Sequence, residues 1–414
     1  MGDLNIKGIW WLSDNPDEKY TGVFTFDGKE KPVLELFGCF ERFTLAKRSR
    51  DYFTKDHVIH GCSFTGERIS LLNCFISRHT SAAVEFCSFK AQFVLKGEYV
   101  YSLDDDCFVE SVMEFEYLRQ WYGPKLIETK DRGDDGYSIL CKHNIESSQR
   151  IVDISDDLRV SFRPNWLVHT QSETGITTIT EYTSAVIESK KPHSMLDYYK
   201  LQQILQQFMS LVFFTPQYYT KCVLSPENKE MENCELYFLN EESKKPLHQS
   251  FLKYDTVNPV LDSFLKKWFE QAEDMYPIQN HLIRSMDSAK SIGNEDFLVI
   301  AQAIDGLAAK ILGNNESLAS NARSMYDRLK DVEMLAKNRV NTKVLAAVRN
   351  HYAHMHKCKD DNLMVYGDDQ LKLRLQAKLL LVAMLLHYYG LDDKGINDCL
   401  NHSEFKAYRF INCN

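Results

Sequence analysis

The spacing of apolar residues changes near residue 190, and this change limits the fold more than any other feature of the sequence. Before it, short segments rich in Val, Ile, Phe, Tyr and Cys alternate in polarity, with turn signals such as Asp27-Gly28-Lys29 between them. That pattern is typical of β-strands. After Pro192, apolar residues recur at helical spacing. The sequence therefore predicts an α+β protein, with strands first and helices after them.

The first part, residues 1–190, is predicted to be a mostly antiparallel β domain, sandwich- or barrel-like, with added helices. Its predicted strands are residues 19–26, 33–40, 57–65, 67–76, 83–95, 111–117, 138–141, 150–152, 159–162 and 177–186. The aromatic side chains of this part invite two interpretations, a ligand groove or core packing, and core packing is favoured. They are Trp10, Trp11, Trp121 and Tyr122.

The remainder is predicted to form a connecting region and a helical bundle. Residues 191–277 combine helices at 195–214 and 259–272 with short strands near 218–224 and 235–239, and Pro277 marks the predicted boundary. Residues 278–414 are predicted to be all-α, with helices at 296–312, 322–337, 342–355 and 370–389. The last of these is apolar nearly all round, which predicts a central buried helix.

Charge is distributed unevenly along the chain. The net charge of −9 argues against a protein that coats nucleic acid non-specifically. Residues 1–275 contain 31 basic and 42 acidic residues, a net of −11, whereas residues 276–414 contain 18 and 16, a net of +2. Residues 323–359 are the most basic part, with 9 basic and 3 acidic residues. This stretch is either a solvated helix face or a surface for a polyanion.

The cysteine pattern predicts a reducing cytoplasm. There are 11 cysteines and no Cys-x-x-Cys pair, so we expect mostly buried free thiols, no disulfide framework and no zinc held by cysteines alone. The first residues show no basic segment followed by an apolar one, so no signal peptide is expected. The longest apolar run, residues 379–386, is too short to span a bilayer, and no membrane partner is predicted.

The segment Arg349-Asn350-His351-Tyr352-Ala353-His354 carries the candidate chemistry. A guanidinium holds phosphate through two parallel hydrogen bonds, and an imidazole exchanges protons near pH 7. These groups suit attack by the 2′-hydroxyl of RNA on its own phosphate, with Arg349 stabilising the developing charge and Asn350 orienting one of the groups. Asp305 lies beside an apolar stripe, where an acid is costly unless it is paired. Pairing with Arg349 or His354 would orient that residue, and the alternative is an acid that only reaches solvent or caps a helix. No metal or cofactor is required.

Geometry complicates this interpretation. Arg349 and His354 are five residues apart, roughly 140° around an unbroken helix, so they converge only if the helix ends or kinks, or if a second copy of the chain completes the site. A two-fold dimer would bring two motifs together. The alternatives are that Arg349 and His354 merely finish the helix at its negative end, or that His351, His354 and His356 bind a metal.

The motif and the opening of the chain resemble known families. Residues 349–354 fit the Arg-Asn-x3-His form of the motif shared by HEPN proteins, and residues 294–312 resemble the HEPN helix that supplies an acidic residue, here Asp305. Residues 8–16, 20–26, 57–61, 69–75 and 205–214 are similar to ApeA-type proteins, so the resemblance covers nearly the whole chain.

The resemblance implies an anti-phage effector that acts by abortive infection through a C-terminal HEPN helical bundle. Its active site would be metal-independent, with Arg349 and His354 as the catalytic pair, Asn350 in support and Asp305 as the positioning acid. The implied partners are an RNA substrate, a second copy of the chain in a homodimer or higher homo-oligomer, and a phage-derived trigger. The alternative is a non-catalytic HEPN dimerisation or binding module with a ligand- or protein-sensing β domain.

Overall fold

The computed structural model describes residues 3–45, 57–81, 85–131, 137–141, 148–243, 245–246, 250–285, 294–313, 316–354 and 361–401. The chain forms two compact units. The first comprises residues 1–151, 155–203 and 218–243, and the second comprises residues 152–154, 204–217 and 244–414. The predicted domain division at residues 190 and 277 stays a prediction.

The strands are numbered along the chain. They are β1 (Leu4–Leu12), β2 (Asn15–Phe26), β3 (Val33–Phe37), β4 (His57–Ser63), β5 (Arg68–Ser81), β6 (Glu85–Lys90), β7 (Phe93–Lys96), β8 (Phe108–Phe115), β9 (Ile127–Asp131), β10 (Tyr137–Cys141), β11 (Arg150–Asp153), β12 (Leu158–Thr170), β13 (Thr177–His193), β14 (Tyr219–Pro226) and β15 (Cys234–Phe238). Two short helices lie among them, α1 (Glu41–Leu45) and α2 (Leu118–Trp121).

Six strands close on themselves in the order β5-β4-β1-β2-β3-β6, because β6 pairs with both β3 and β5. The pairs of this ring are antiparallel. From β5 the sheet continues through β7, β15, β14, β8, β13 and β12 to β11. The predicted antiparallel, barrel-like β domain is therefore confirmed.

The interior of the ring is packed with large side chains. In β1 buried and exposed residues alternate, as expected for a strand with one face in a core, although the sequence analysis did not predict this strand. Trp10 of β1 and Phe24 of β2 are fully buried, with ring centroids 6.0 Å apart. Trp121 and Tyr122 are buried as well, whereas Trp11 is half-buried. Core packing is therefore the right interpretation for three of the four aromatic residues.

Helices make up most of the rest. They are α3 (Met195–Phe213), α4 (Tyr254–Val257), α5 (Leu261–Glu270), α6 (Ala272–Ser285), α7 (Asn294–Leu312), α8 (Leu318–Arg328), α9 (Glu333–Lys337), α10 (Thr342–His354), α11 (Gly367–Tyr388) and α12 (Asp393–Leu400). All eight residues of α11 from Leu379 to Leu386 are buried, as its apolar sequence predicts. The α+β class is confirmed. Among the described residues, no helix has the length and apolar character that crossing a membrane requires.

One predicted strand, residues 83–95, is two strands in its described part, which begins at Glu85. β6 ends at Lys90 and β7 begins at Phe93. Between them the Ala91 amide donates to the Pro32 carbonyl, and the Gln92 amide donates to the Leu72 carbonyl. At this point the chain keeps β5 as one partner and exchanges β3 for β15 as the other. The sequence does not reveal such an exchange, because both halves of the segment contain residues that favour strands.

One predicted helix was also wrong. Residues 322–337 are not one helix, because α8 ends at Arg328 and α9 begins at Glu333. Asn397 holds the bend between them: its side-chain nitrogen donates to the Asp331 carbonyl, and its oxygen accepts from the Glu333 amide. Pro277, at the predicted boundary between the connecting region and the bundle, lies inside α6. In the second turn a proline removes one backbone hydrogen bond, and the helix continues.

One pair of cysteines departs from the expected free thiols. Cys39, just after β3, and Cys87, in β6, are joined by a disulfide with a Cα–Cα distance of 5.2 Å. They are 48 residues apart in sequence and meet because β3 pairs with β6. Other cysteines, such as Cys74 and Cys222, are buried free thiols, as expected.

Candidate active site

Asp305 lies on α7 at the edge of that helix's apolar stripe. Phe297, Ile300, Ile304 and Leu307 are buried, and they hold one face of α7 against the rest of its unit. Asp305 follows Ile304 directly and keeps 30 % of its side chain exposed. A carboxylate at such a position is costly unless it is paired, and the structure provides two partners for it.

The first partner is Asn321, on α8. Ser317 caps this helix, accepting from the Ser320 amide. Asn321 falls on the buried face and is 1 % exposed. Its Nδ2 donates to Asp305 Oδ1 at 3.0 Å and also to the Glu316 carbonyl at 3.2 Å. The amide thus fixes one oxygen of the carboxylate.

The second partner is Arg349, on α10. Leu345 and Val348 bury one face of this helix, and Arg349 follows Val348. The Arg349 Nη2 atom lies 3.7 Å from Asp305 Oδ2, which is an ion pair rather than a hydrogen bond. Arg349 Nη1 donates to the Asn350 side-chain oxygen at 2.8 Å. Three of the four predicted site residues, Asp305, Arg349 and Asn350, are therefore brought together.

The guanidinium of Arg349 is only partly satisfied. Its side chain is 25 % exposed, and its Nε is buried with no hydrogen-bond partner among the described residues. Asn321 Oδ1 is also buried without a partner in the described part of the chain. Buried polar atoms usually find a partner. The pair Asp305–Arg349 is therefore held in place while retaining hydrogen-bonding capacity.

The fourth predicted residue, His354, lies elsewhere on the helix. It is the last residue of α10 and is exposed, whereas Arg349 points towards Asp305. The helix is unbroken from Arg349 to His354, so the rotation of roughly 140° applies. The break that would bring the two together within one chain does not occur before His354. The pairing of Asp305 with Arg349 forms, and no pairing of Asp305 with His354 is seen.

Two other histidines lie in or just after this segment, and the structure describes only His351. His351 is half-buried, with its ring centroid 5.2 Å from that of Tyr352. The Tyr352 hydroxyl accepts from Gln370 Nε2 at 2.6 Å, which links α10 to α11. His356 lies outside the described residues. The alternative of a three-histidine metal site therefore stays a prediction.

The basic stretch supplies exposed cations in the same unit. Lys337 pairs with Glu333, and Arg339 pairs with Asp327. Four other cations are exposed and have no ion-pair partner among the described residues: Arg323, Arg328, Lys330 and Lys343. Unpaired surface cations are what a polyanion such as RNA requires.

One of these cations, Arg328, also acts on a histidine. Burial of His387 and the positive charge of Arg328 lower the pKa of His387, which favours its neutral form.

Asn321 is the site residue that the sequence analysis missed. Its signal was present, because Leu318, Ala322 and Met325 define an apolar stripe and Asn321 is the polar residue on the same face. A polar residue at a core position predicts a buried hydrogen bond, although the sequence does not name its partner. The contact with Asp305 depends on how α7 packs on α8.

Comparison with known proteins assigns the chain to a family. The family model described as ApeA N-terminal domain 1 matches residues 5–268, which include nearly all of β1, all of β2 to β15 and most of α5. Searches of curated proteins and of solved structures found no match. Because the match covers more than half of its length, the chain belongs to the ApeA N-terminal domain 1 family.

Proposed function

We propose that this protein is an anti-phage defence effector that acts by abortive infection, as a metal-independent endoribonuclease of the HEPN type. Membership of the ApeA N-terminal domain 1 family supports the defence role. The observation that carries the catalytic proposal is the arrangement of Arg349, held by Asp305 at 3.7 Å and by Asn350 at 2.8 Å. A guanidinium fixed in this way, yet not saturated, suits a phosphate ligand.

Arg349 would stabilise the negative charge that develops on the phosphate oxygens. Asp305 is fixed by Asn321 and in turn positions the guanidinium. The exposed quarter of the side chain leaves donors for a phosphate oxygen. A preorganised donor of this type, aimed at a developing oxyanion, typically contributes a factor of about 10²–10³ to the rate.

His354 would transfer the proton. In the proposed reaction the RNA 2′-oxygen forms a bond to the adjacent phosphorus, and the bond from phosphorus to the 5′-oxygen of the next nucleotide breaks. The 2′-hydroxyl proton leaves to a base, and the leaving 5′-oxygen takes a proton. The products are a 2′,3′-cyclic phosphate and a 5′-hydroxyl. An imidazole exchanges such protons near neutral pH.

A homodimer would bring the two groups together. Within one chain, Arg349 points to Asp305 while His354 is exposed at the helix end. A two-fold axis near α10 would set the exposed His354 of one chain beside the Arg349 of its partner. The proposed cleft therefore contains residues of both chains, and RNA would be drawn to it by the exposed cations of residues 323–343.

The alternative is a non-catalytic dimerisation or binding module. The ion pair of Arg349 with Asp305 is compatible with this alternative too, because an arginine three-quarters buried beside an aspartate also stabilises a bundle. The two functions differ in what they require of His354. An exposed side chain at a helix end contributes little to packing, so a binding module would tolerate its loss.

The test compares wild type with Arg349→Ala and His354→Ala, and with Lys394→Ala as a control. Lys394 is an exposed cation on α12 of the same unit and lies outside both the motif and the basic stretch. Cells expressing each variant are challenged with phage, growth is recorded, and total RNA is analysed for cleavage and for 2′,3′-cyclic phosphate ends. Purified proteins are assayed on RNA with a chelator present.

Wild type and Lys394→Ala should protect the culture and cleave RNA. The two motif variants should lose both activities, with cleavage reduced about 10²-fold or more, and should give the wild-type circular dichroism spectrum. Full protection by folded Arg349→Ala and His354→Ala would reject the ribonuclease and favour the binding module.

A further inference from the structure

Three potential metal ligands meet in the six-stranded ring. Cys39 follows β3, His79 is in β5 and Cys87 is in β6. One ligand atom from each, two sulfurs and an imidazole nitrogen, lie within 4.8 Å of one another. The strand register explains the meeting, since Cys87 is opposite His79 on one side and opposite Leu36 on the other.

The surroundings resemble those of a structural metal centre. Cys39 and Cys87 are 1 % and 0 % exposed and belong to the hydrophobic core of the ring. The His79 side chain is 14 % exposed. The His79 Nε2 atom lies 3.0 Å from Glu85 Oε1. A carboxylate bonded to one ring nitrogen orients the imidazole and directs the other nitrogen to a metal, as in many zinc sites.

We propose that Cys39, Cys87 and His79 bind Zn²⁺ when the two cysteines are reduced, with Glu85 orienting His79. Two thiolates and an imidazole form a ligand set that zinc favours, and a water molecule would complete a tetrahedron. The site is distinct from the proposed active site, which needs no metal. This inference does not depend on the proposed function.

The disulfide and the metal centre are two states of the same cysteines. A dithiol reductant gives two electrons and two protons to the Cys39–Cys87 bond, producing two thiols, and is itself oxidised to a disulfide. Zinc then displaces the two thiol protons and binds both sulfurs. A reducing compartment favours the metal state, and an oxidising one favours the disulfide.

The first experiment uses the wild-type full chain. The protein is purified with a phosphine reductant, and its zinc content is measured by atomic emission. Co²⁺ is then exchanged into the site and the absorption spectrum is recorded. We expect about one zinc per chain and thiolate-to-cobalt charge-transfer bands in the near ultraviolet. Oxidation to the disulfide should release the metal.

Variants identify the ligands. Cys39→Ser, Cys87→Ser and His79→Ala should each lose the bound zinc, whereas Cys74→Ser should keep it, because Cys74 is a buried free thiol of the same core. Absence of stoichiometric metal from the reduced wild-type protein would overturn the proposal. So would zinc retained at the wild-type level in all three ligand variants. The cobalt spectrum of wild type decides the question even if a variant fails to fold.

Discussion

At the scale of single residues, Asn321 contributes more to the candidate site than its place in the sequence suggests. It is fully buried, and its one amide nitrogen serves both Asp305 and the Glu316 carbonyl. Asp305 in turn holds Arg349. A substitution of Asn321 should therefore disturb the Asp305 carboxylate and, through it, the position of the Arg349 guanidinium.

Asn321→Leu tests this chain of contacts. Leucine cannot donate to Asp305, so the carboxylate loses a hydrogen bond, and we expect a destabilisation of about 1–3 kcal/mol together with slower RNA cleavage. The measurements are urea unfolding and the cleavage rate of the folded fraction. Asn338→Leu is the matched control, because Asn338 is a buried amide bonded to the Met334 carbonyl, away from Asp305. If both variants lose stability and neither loses cleavage, Asn321 does not position the site.

His60, in β4, is expected to make the stability of the first unit depend on pH. It is 2 % exposed, with Nε2 3.0 Å from the Val100 carbonyl oxygen. Burial lowers the pKa of His60, and the bond to Val100 offsets part of that shift. The folded protein therefore binds this proton less readily than the unfolded chain, whose histidine pKa is about 6.5. Stability is fully present above that value and falls as the pH drops from it towards the folded-state pKa.

The expected result is a lower free energy of unfolding at pH 5.5 than at pH 7.5, with a smaller loss in His60→Gln. Glutamine keeps a donor for Val100 and cannot take up a proton. Urea unfolding at both pH values measures the difference. Equal losses in the two proteins would show that other groups produce the pH dependence.

At the scale of elements, the paired strands β1 and β4 accommodate the Trp10 indole because Gly61, opposite it, has no side chain. A Cβ added at Gly61 would lie 2.2 Å from Cε3 and Cζ3 of Trp10, which is fully buried. The indole is rigid, so either Trp10 or the strand must move. Gly61→Ala should destabilise the protein by about 1–3 kcal/mol, measured by urea unfolding.

Gly306→Ala is the contrasting substitution on a helix. Gly306 is an exposed residue of α7, and a Cβ there meets nothing within 4 Å. Alanine also favours the helix, so a gain of about 0.5–1 kcal/mol is expected. Similar effects of the two substitutions would mean that the close contact with Trp10 does not constrain β4.

At the scale of the whole molecule, the proposed cleft requires two chains. Arg349 points inward to Asp305, and His354 is exposed at the end of the same helix. If each cleft takes Arg349 from one chain and His354 from the other, a mixture of two inactive variants should regain activity. Random reassociation of Arg349→Ala with His354→Ala gives about half heterodimers, each with one complete cleft.

The mixture should therefore recover a substantial fraction of wild-type cleavage, while each variant alone stays inactive. The measurement is RNA cleavage after the two chains are unfolded and refolded together, with light scattering to establish the oligomeric state. Recovery also requires that the chain forms dimers. No recovery in a confirmed dimer would place both catalytic groups of a cleft on one chain.

Much of the fold followed from local patterns. The alternation of polarity predicted most of the strands, and the helical spacing predicted α3, α7, α10 and α11 to within a few residues. The errors fell where tertiary contacts overrule local preference. Asn397 stabilises the break between α8 and α9 from 64 residues away, and a change of strand partner divides residues 83–95.

The sequence alone determined the order of strands and helices, the buried character of α11 and the motif from Arg349 to His354, because each depends on residues close together in the chain. Only the tertiary structure decided that Asn321 and Arg349 share Asp305, and that Cys39, His79 and Cys87 meet in one ring. These contacts join residues many positions apart. They exist because strand register and helix packing place distant backbones side by side, which no local spacing encodes.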